Sequence, residues 1–215
     1  MMKPLLMRPH QHKGYLFTFC GLDGCGKTTM MRRLTEDLEK NHSVLLTKQP
    51  TDFVRTTGIF RTYMDQPNHD AYDYRSLSLL AASDRVQHTN KIIQPALQLG
   101  KIVLSDRYFY SCLANLRARG YEEDQWIYEI SQSIIQPDIA FFFDISVDKA
   151  IERVRMRPTE CNRYIDLDLQ RKLHNQYRKI CEENNGVLIS TDCAEEESYA
   201  MVKQYVEKVM KNECE

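Results

Sequence analysis

A glycine-rich segment near the N-terminus carries the clearest chemical signal in the sequence. Residues 21–28 read Gly-Leu-Asp-Gly-Cys-Gly-Lys-Thr, with the spacing G-x-x-x-x-G-K-[ST]. Glycines allow the backbone to curl, so that successive N–H groups and the start of the next helix surround a phosphate. Lys27 supplies a cation for the β- and γ-phosphates, and the Thr28 hydroxyl is a ligand for Mg²⁺. The segment predicts a site for a nucleoside triphosphate, formed by Gly21, Leu22, Asp23, Gly24, Cys25, Gly26, Lys27, Thr28 and Thr29.

Further charged side chains follow the later apolar runs. Asp106 closes one such run, where an acid that holds Mg²⁺ would lie, and Arg107 comes next. A basic segment at residues 153–163 contains a proline that interrupts a helix, which predicts a short arginine-rich flap. Phosphoryl transfer needs in-line positioning and positive charge, and an arginine fork contacts two phosphate oxygens at once. These residues predict a phosphotransferase site, with Arg55 or Arg61 as a third cation. The alternative for Asp106 and Arg107 is a surface ion pair.

The elements that must position these residues alternate between strand and helix. Continuous apolar runs are typical of parallel strands covered on both faces, and they predict strands at residues 15–20, 43–48, 102–105, 139–144 and 187–190. Helical patterns occupy residues 29–40, 55–64, 72–99, 110–133, 147–156, 166–184 and 195–211. Repeated units of this kind predict an α/β fold, a doubly wound five-stranded parallel sheet with helices on both faces. Ligands then bind at the carboxyl ends of the strands.

Composition is typical of an ordinary globular protein. The 215 residues are 42% hydrophobic and 27% charged, and 29 basic side chains nearly balance 30 acidic ones. This balance argues against nucleic acid or a membrane surface as a partner, and no apolar stretch reaches the length of a membrane span. Seven cysteines without C-x-x-C spacing favour reduced thiols in a cytoplasmic protein. We expect a flexible leader at residues 1–13 and one domain at residues 14–215, with a lid at about 157–163.

Three longer segments, besides the glycine-rich loop, resemble segments of a known protein family. Residues 79–88, Leu-Leu-Ala-Ala-Ser-Asp-Arg-Val-Gln-His, are similar to a family helix that reads L-L-F-A-A-D-R-A-Q-H. Residues 100–111 match G-K-x-V-x-x-D-R-Y-x-x-S, and residues 137–144 are similar to P-D-L-x-x-x-L-D. Together with the loop, these segments follow the order of the thymidylate kinase (dTMP kinase) family of P-loop nucleoside monophosphate kinases, which the chain resembles. The resemblance implies a P-loop kinase fold with a short arginine-rich lid.

The resemblance also implies a reaction and roles for individual residues. The reaction would be dTMP + ATP = dTDP + ADP, catalysed by a homodimer, with Mg²⁺ held at Thr28 and Asp106. Arg107 would bridge the donor and acceptor phosphates, and a lid arginine would stabilise the transition-state charge. The implied catalytic residues are Lys27, Arg107, Arg157, Arg163 and Asp23. The implied acceptor-binding residues are Asp23, Gln49, Arg61, Arg85, Arg107, Ser111 and Asn115.

Positions that would handle the base and the sugar depart from the family pattern. Ala81 stands where the family has a stacking phenylalanine, Asn115 where it has a tyrosine, and Gln49 where it has a glutamate. The alternatives are therefore a kinase for another pyrimidine (deoxy)nucleotide or a deoxynucleoside, and a nucleotide-binding paralogue without turnover. A hydroxyl acceptor benefits from a carboxylate base, which the Gln49 amide cannot provide. A monophosphate acceptor is already anionic, and this contrast favours it.

Overall fold

A five-stranded parallel sheet forms the centre of the molecule in the computed structural model, which describes residues 3–67, 69 and 71–211. The strands are β1 (Leu16–Gly21), β2 (Val44–Lys48), β3 (Ile102–Asp106), β4 (Ile139–Asp144) and β5 (Val187–Ser190). Their order across the sheet is β2-β3-β1-β4-β5, so β1 is central and lies between β3 and β4. The predicted fold class is confirmed, and each predicted strand is present to within one residue.

The sheet is buried because its central strands are apolar on both faces. Phe17, Phe19, Phe141 and Phe142 are at most 1% exposed. Full burial of a side chain of this size contributes roughly 1.5–3 kcal/mol to folding. Parallel strands need helices on both faces, which explains why these runs are continuously apolar and do not alternate.

Helices cover both faces of the sheet and fill the predicted intervals. Their bounds are α1 (Lys27–Leu38), α2 (Asp52–Arg55), α3 (Gly58–Asp65), α4 (Tyr74–His88), α5 (Gln94–Gln98), α6 (Tyr110–Ala118), α7 (Trp126–Ser131), α8 (Val147–Arg155), α9 (Leu167–Glu183) and α10 (Glu195–Lys211). A π-helical turn at Thr89–Ile93 joins α4 to α5, so the long predicted helix is continuous. In the described part of the chain, no helix combines the length and apolar character that a bilayer crossing requires.

Two predicted helices are interrupted. The helix expected at residues 55–64 is divided into α2 and α3, because the Thr57 hydroxyl accepts a hydrogen bond from the Phe60 N–H and begins a new helix. The region expected to be helical at residues 110–133 is divided into α6 and α7. Gly120, with φ of 87°, lies just after α6, where a left-handed residue commonly ends a helix.

The N-terminal segment differs from the expected flexible leader. Leu5 and Met7 are buried, and the Leu6 N–H donates to the Ser131 hydroxyl at 2.9 Å. Arg8 pairs with the segment before β4, where its N–H donates to the Ile134 carbonyl at 2.8 Å. The described part of the expected leader is therefore attached to the rest of the chain, because the Leu5 and Met7 side chains belong to its core. Residues 1 and 2 of the expected leader, and 212–215 of the expected domain, lie outside the described residues.

Candidate active site

A cavity of about 700 Å³ opens at the carboxyl edge of the sheet. Its walls come from the loop after β1, the β2–α2 connection, α3, α4, α6 and the segment between α8 and α9. The volume is in the range of sites that bury small molecules. Since β1 is the strand at which the chain order reverses, the cavity lies where ligands bind in open α/β sheets.

The glycine-rich loop depends on backbone conformations that side chains disfavour. Gly24 and Gly26 have φ of 83° and 91°. A Cβ atom on Gly24 would lie 2.1 Å from the Ala150 carbonyl oxygen on α8, so only glycine fits between the loop and that helix. Gly26 is the N-cap of α1, which directs the positive end of this helix toward the cavity. The backbone therefore forms an anion-binding concavity before any side chain is considered.

Lys27 lies inside this loop. Its ammonium group donates to the Leu22 carbonyl at 2.6 Å and to the Gly21 carbonyl at 3.1 Å, and it lies 3.5 Å from the Cys25 sulfur. The side chain is buried although it is charged. Of the rest of the predicted triphosphate site, the residues that line the cavity are Leu22, Asp23, Gly24, Gly26, Thr28 and Thr29, whereas Gly21 and Cys25 are buried and do not line it.

An acidic side chain joins two arginines at the centre of the cavity. Asp23 accepts from Arg107 at 2.5 Å with one carboxylate oxygen and from Arg163 at 3.0 Å with the other. Burial by itself would raise the pKa of the Asp23 carboxyl, but the charges of Arg107, Lys27 and Arg163 lower that pKa well below its usual range. The carboxylate is therefore ionised and holds together cations from two distant parts of the chain.

Arg107 is positioned by a strained backbone. Its φ is 65°, a left-handed conformation that residues other than glycine rarely adopt. The Arg107 N–H donates to the Phe19 carbonyl at 2.9 Å, and the Arg107 carbonyl accepts from the Ser105 hydroxyl at 2.7 Å. The guanidinium also donates to the Gly21 carbonyl and to the Tyr177 hydroxyl. Strain of this kind, roughly 1–3 kcal/mol, is typical of functional sites.

The arginine-rich segment between α8 and α9 reaches over the cavity. Arg157 and Arg163 both line it, and both form ion pairs with Glu160, at 2.8 Å and 3.5 Å. Arg155 donates to the carbonyls of Cys161 and Arg163 at 2.6 Å, which holds the segment in a tight turn. Both arginines expected in the lid therefore lie beside the cavity, and both are paired with carboxylates.

The part of the cavity that α4 and α6 line is called its far end here. Arg85 is buried there, and its guanidinium donates to the Ala81 carbonyl at 2.9 Å and to the Tyr108 carbonyl at 3.3 Å. Ser111 and Asn115 line the cavity from α6, one helical turn apart. Three of the expected acceptor-binding residues therefore share this end of the cavity with Ala81.

Two expected acceptor-binding residues do not line the cavity. Gln49 is fully buried and directs its amide nitrogen to His88 at 3.1 Å. Arg61 is exposed and forms an ion pair with Asp65, one turn along α3. Arg61 was expected at the acceptor from the family resemblance. The face of α3 that lines the cavity carries Phe60, Tyr63 and Met64, and Arg61 lies on another face.

Two cations that the motifs do not single out line the cavity in this region. Lys48 and Arg55 line the cavity from the β2–α2 connection and from α2. Arg55 had been named as an alternative to Arg61, whereas Lys48 had no assigned role. A lysine at the carboxyl end of a predicted parallel strand was a signal that could have identified Lys48.

A group of aromatic rings also lines the cavity. Phe60, Tyr63 and Tyr74 belong to this group, and the rings of Tyr63 and Tyr74 meet edge to face, with their centroids 5.1 Å apart. The Arg119 guanidinium lies 4.0 Å from the Tyr74 ring centroid and donates to the Asn115 side chain at 2.8 Å. Tyr74 precedes Ala81 by seven residues on α4, so helical periodicity places the two on one face, and that spacing could have identified Tyr74.

Asp106 and Thr28 provide oxygen atoms suited to a hard cation. Asp106 lies at the end of β3, and within the described ranges its Oδ1 atom is buried without a hydrogen-bond partner. Thr28 is an exposed residue that lines the same cavity. No group of three or more potential metal-binding side chains occurs among residues 3–67, 69 and 71–211. A site with so few protein ligands suits Mg²⁺, which keeps several waters and binds through substrate phosphates.

Comparisons with known proteins agree with this geometry. The family model described as thymidylate kinase matches residues 19–202. A probable thymidylate kinase of Pyrococcus horikoshii is 39% identical over 79% of this chain and 84% of its own. The thymidylate kinase of Geobacillus sp. (strain WCH70) is 38% identical over 88% and 94%, and that of Onion yellows phytoplasma is 32% identical over 91% and 98%. The prediction from the motifs is confirmed, and the chain belongs to the thymidylate kinase family.

Proposed function

We propose that this chain transfers the γ-phosphoryl group of ATP to dTMP, producing dTDP and ADP. The observation that carries the proposal is one cavity that joins the triphosphate loop to an acceptor end, with Arg107 and Arg163 meeting at Asp23 between them. Membership of the thymidylate kinase family supports the same reaction. The order of the groups along the cavity fits a donor and an acceptor that bind with their phosphates facing each other.

The chain's own residues supply positioning and positive charge. Lys27 would exchange its contacts with the loop carbonyls for oxygens of the ATP phosphates. Arg107 and Arg163 would exchange Asp23 for oxygens of the transferred group, at which the charge of the transition state is spread. The dTMP phosphate oxygen is already anionic and attacks without a general base, which fits the absence of a carboxylate at Gln49.

Mg²⁺ is the cofactor that the donor set fits. Asp106, through its unpartnered oxygen, and Thr28 would hold the ion, with Asp106 acting directly or through water. When bound, the ion neutralises charge on the β- and γ-phosphates.

The acceptor end can bind a planar base even though Ala81 stands where the family has a stacking phenylalanine. Phe60, Tyr63 and Tyr74 supply aromatic surface on the cavity wall, and stacking on such rings contributes on the order of 1–3 kcal/mol per base in other nucleotide sites. We propose that Arg85 contacts the base edge and that Ser111 and Asn115 lie beside the sugar. These three residues share the cavity wall with the rings.

A direct assay of ADP release tests the reaction. ATP and Mg²⁺ are supplied with dTMP, dUMP, dCMP, UMP or thymidine in turn, and product formation is followed by chromatography. We expect the largest kcat/KM with dTMP and no turnover with thymidine. Turnover with thymidine alone would replace the proposal with a nucleoside kinase, and ATP binding without turnover of any acceptor would indicate a non-catalytic paralogue.

We also propose that the protein is a cytoplasmic homodimer. The six cysteines in the described part of the chain are all free thiols, which supports a reducing compartment. The homodimer is proposed from the family resemblance, and exposed apolar side chains such as Phe53 and Leu79 are available for a contact. Light scattering coupled to gel filtration would give twice the mass of the 25.3 kDa chain, whereas a monomer mass would contradict the proposal.

A further inference from the structure

Two buried side chains of α4 fasten the β2–α2 connection. Asp84 and His88 lie one helical turn apart and are 5% and 8% exposed. One carboxylate oxygen of Asp84 accepts from the Thr51 N–H at 2.8 Å, and the other accepts from the Thr51 hydroxyl. The two ring nitrogens of His88 contact the Thr47 hydroxyl at 2.8 Å and the Gln49 amide nitrogen at 3.1 Å.

These contacts alternate along the chain. Residues 47, 49 and 51 meet α4, whereas the intervening Lys48 and Pro50 line the cavity. Thr47 and Lys48 are the last two residues of β2, where successive side chains point to opposite sides, so the contact of Thr47 with His88 directs Lys48 to the other side. The attachment to α4 therefore determines where the Lys48 ammonium group lies.

Thr51 extends this control to Arg55. Thr51 is the N-cap of α2, but its hydroxyl makes no capping hydrogen bond and instead donates to Asp84. N-cap residues usually use this oxygen to accept an N–H of the first helical turn. The start of α2, and with it Arg55 one turn later, is therefore set by Asp84 on another helix.

Lys48 and Arg55 form a cationic pair facing the cavity. Partial desolvation lowers the pKa of Lys48, and the charge of Arg55 lowers it further. Two cations that repel each other beside a cavity are stabilised by an anion between them. The phosphate of the acceptor is the anion that the proposed reaction brings to this side.

We propose that Asp84 and His88 are positioning residues that hold Lys48 and Arg55 in the geometry required to bind the acceptor's phosphate. The inference rests on the proposed function, because it takes the acceptor to be a nucleoside monophosphate. Asp84 and His88 do not touch the acceptor. They act by positioning residues 47–51. They therefore influence the affinity for the acceptor and not the affinity for ATP.

Removing the Thr51 hydroxyl tests the inference. In Thr51→Val the shape is kept and the donor to Asp84 is lost, so we expect the Kd and KM for dTMP to rise about tenfold, as for loss of one hydrogen bond to a charged group. The KM for ATP and the kcat should change less than twofold. Thr51→Ser keeps the donor and should restore wild-type values. Thr56→Val is the matched control, because it removes an exposed hydroxyl at the C-cap of α2 that donates to the Asp52 carbonyl of the same helix.

The readouts are steady-state kinetics and calorimetric titration of dTMP and of ATP into each variant. An unchanged dTMP affinity in Thr51→Val, or an equal loss of dTMP and ATP affinity, overturns the inference. If Thr51→Val does not fold, Asp84→Asn, which removes the charge but keeps the size, must show the same selective loss. If the wild type binds dTMP without turnover, the proposed function fails while the titrations still decide the inference. If it binds no dTMP, both fail.

Discussion

At the scale of single residues, the cavity keeps its cations ordered with the chain's own anions and carbonyl groups. Asp23 binds Arg107 and Arg163, and two loop carbonyls bind Lys27. Phosphate oxygens would replace each of these partners. Substrate binding would therefore exchange one set of charged contacts for another. No buried cation would be left unpaired, and this matters because an unpaired buried charge is strongly unfavourable.

Replacing Lys27 should remove catalysis and spare the fold. Lys27→Met has a similar length but no charge, so we expect kcat/KM to fall by about a hundredfold or more. The circular dichroism spectrum should remain that of the wild type. Lys91→Met, at an exposed lysine on the π-helical turn, is the control and should keep wild-type activity. Persisting turnover in Lys27→Met would contradict the assignment of the triphosphate site.

Asp23 should make the stability of the protein depend on acidic pH. The pKa of its carboxyl is lower in the folded chain than in the unfolded chain, so the folded state resists protonation. This contribution is fully present above the unfolded value of about 4 and is lost as the pH falls toward the lower folded value.

Melting temperatures of the wild type and Asp23→Asn, measured from pH 6 to pH 2, test this dependence. We expect the wild type to be the more stable at pH 6, with the difference shrinking as the pH falls below about 4. A difference that stays constant over this range would show that Asp23 titrates as an ordinary exposed carboxyl.

At the scale of elements, the phosphate loop and its neighbours constrain one another. The loop turns beneath α8 at Gly24 and begins α1 at Gly26, while α4 fastens the β2–α2 connection on the other side of the cavity. Each of these elements is fixed by a contact outside its own sequence. The cavity is therefore a property of how the elements pack together and not of any one loop.

Gly24→Ala should separate the effect of packing from that of helix propensity. The added methyl group would collide with the Ala150 carbonyl, and the alanine would have to adopt the left-handed backbone conformation of Gly24. We therefore expect the free energy of unfolding to fall by roughly 1–3 kcal/mol. Gly58→Ala, at the first residue of α3, meets no atom within 4 Å and should stabilise by about 0.5 kcal/mol. Urea denaturation measures the free energy of unfolding of both variants. Equal changes in the two variants would contradict the close packing of Gly24 against α8.

At the scale of the whole molecule, the proposed donor and acceptor sites lie in one cavity. Ligands that bind only the folded state stabilise it in proportion to their occupancy. In the proposed arrangement ATP binds on the β1 side and dTMP on the α4–α6 side. Each ligand alone should therefore stabilise the fold, and both together should stabilise it further.

Thermal shifts measure this directly. ATP or dTMP at about a hundred times its Kd should add about 2.7 kcal/mol, equivalent to a rise of roughly 6 °C or more. Thymidine, which lacks the phosphate that Lys48 and Arg55 would bind, should produce a smaller shift than dTMP at the same concentration. An equal shift with thymidine would indicate that the acceptor's phosphate is not recognised.

Local and strongly patterned features were predictable from the sequence. The phosphate loop needs eight consecutive residues with backbone-specific glycines, and the strands are apolar runs that only a covered parallel sheet can bury. The positions of Lys27, Thr28 and Asp106 on the cavity follow from these two facts, because the carboxyl ends of parallel strands meet at one edge. These assignments required no knowledge of packing.

Only the tertiary structure decided which side chains face the cavity along the β2–α2–α3 segment. The helix α3 presents Phe60 and Tyr63 to the cavity while Arg61 pairs with Asp65, and Gln49 is buried against His88. The structure also attaches residues 3–13 to the core and brings Tyr63 beside Tyr74. Contacts between residues distant in the chain set these directions, whereas motifs and periodicity report only on neighbours along it.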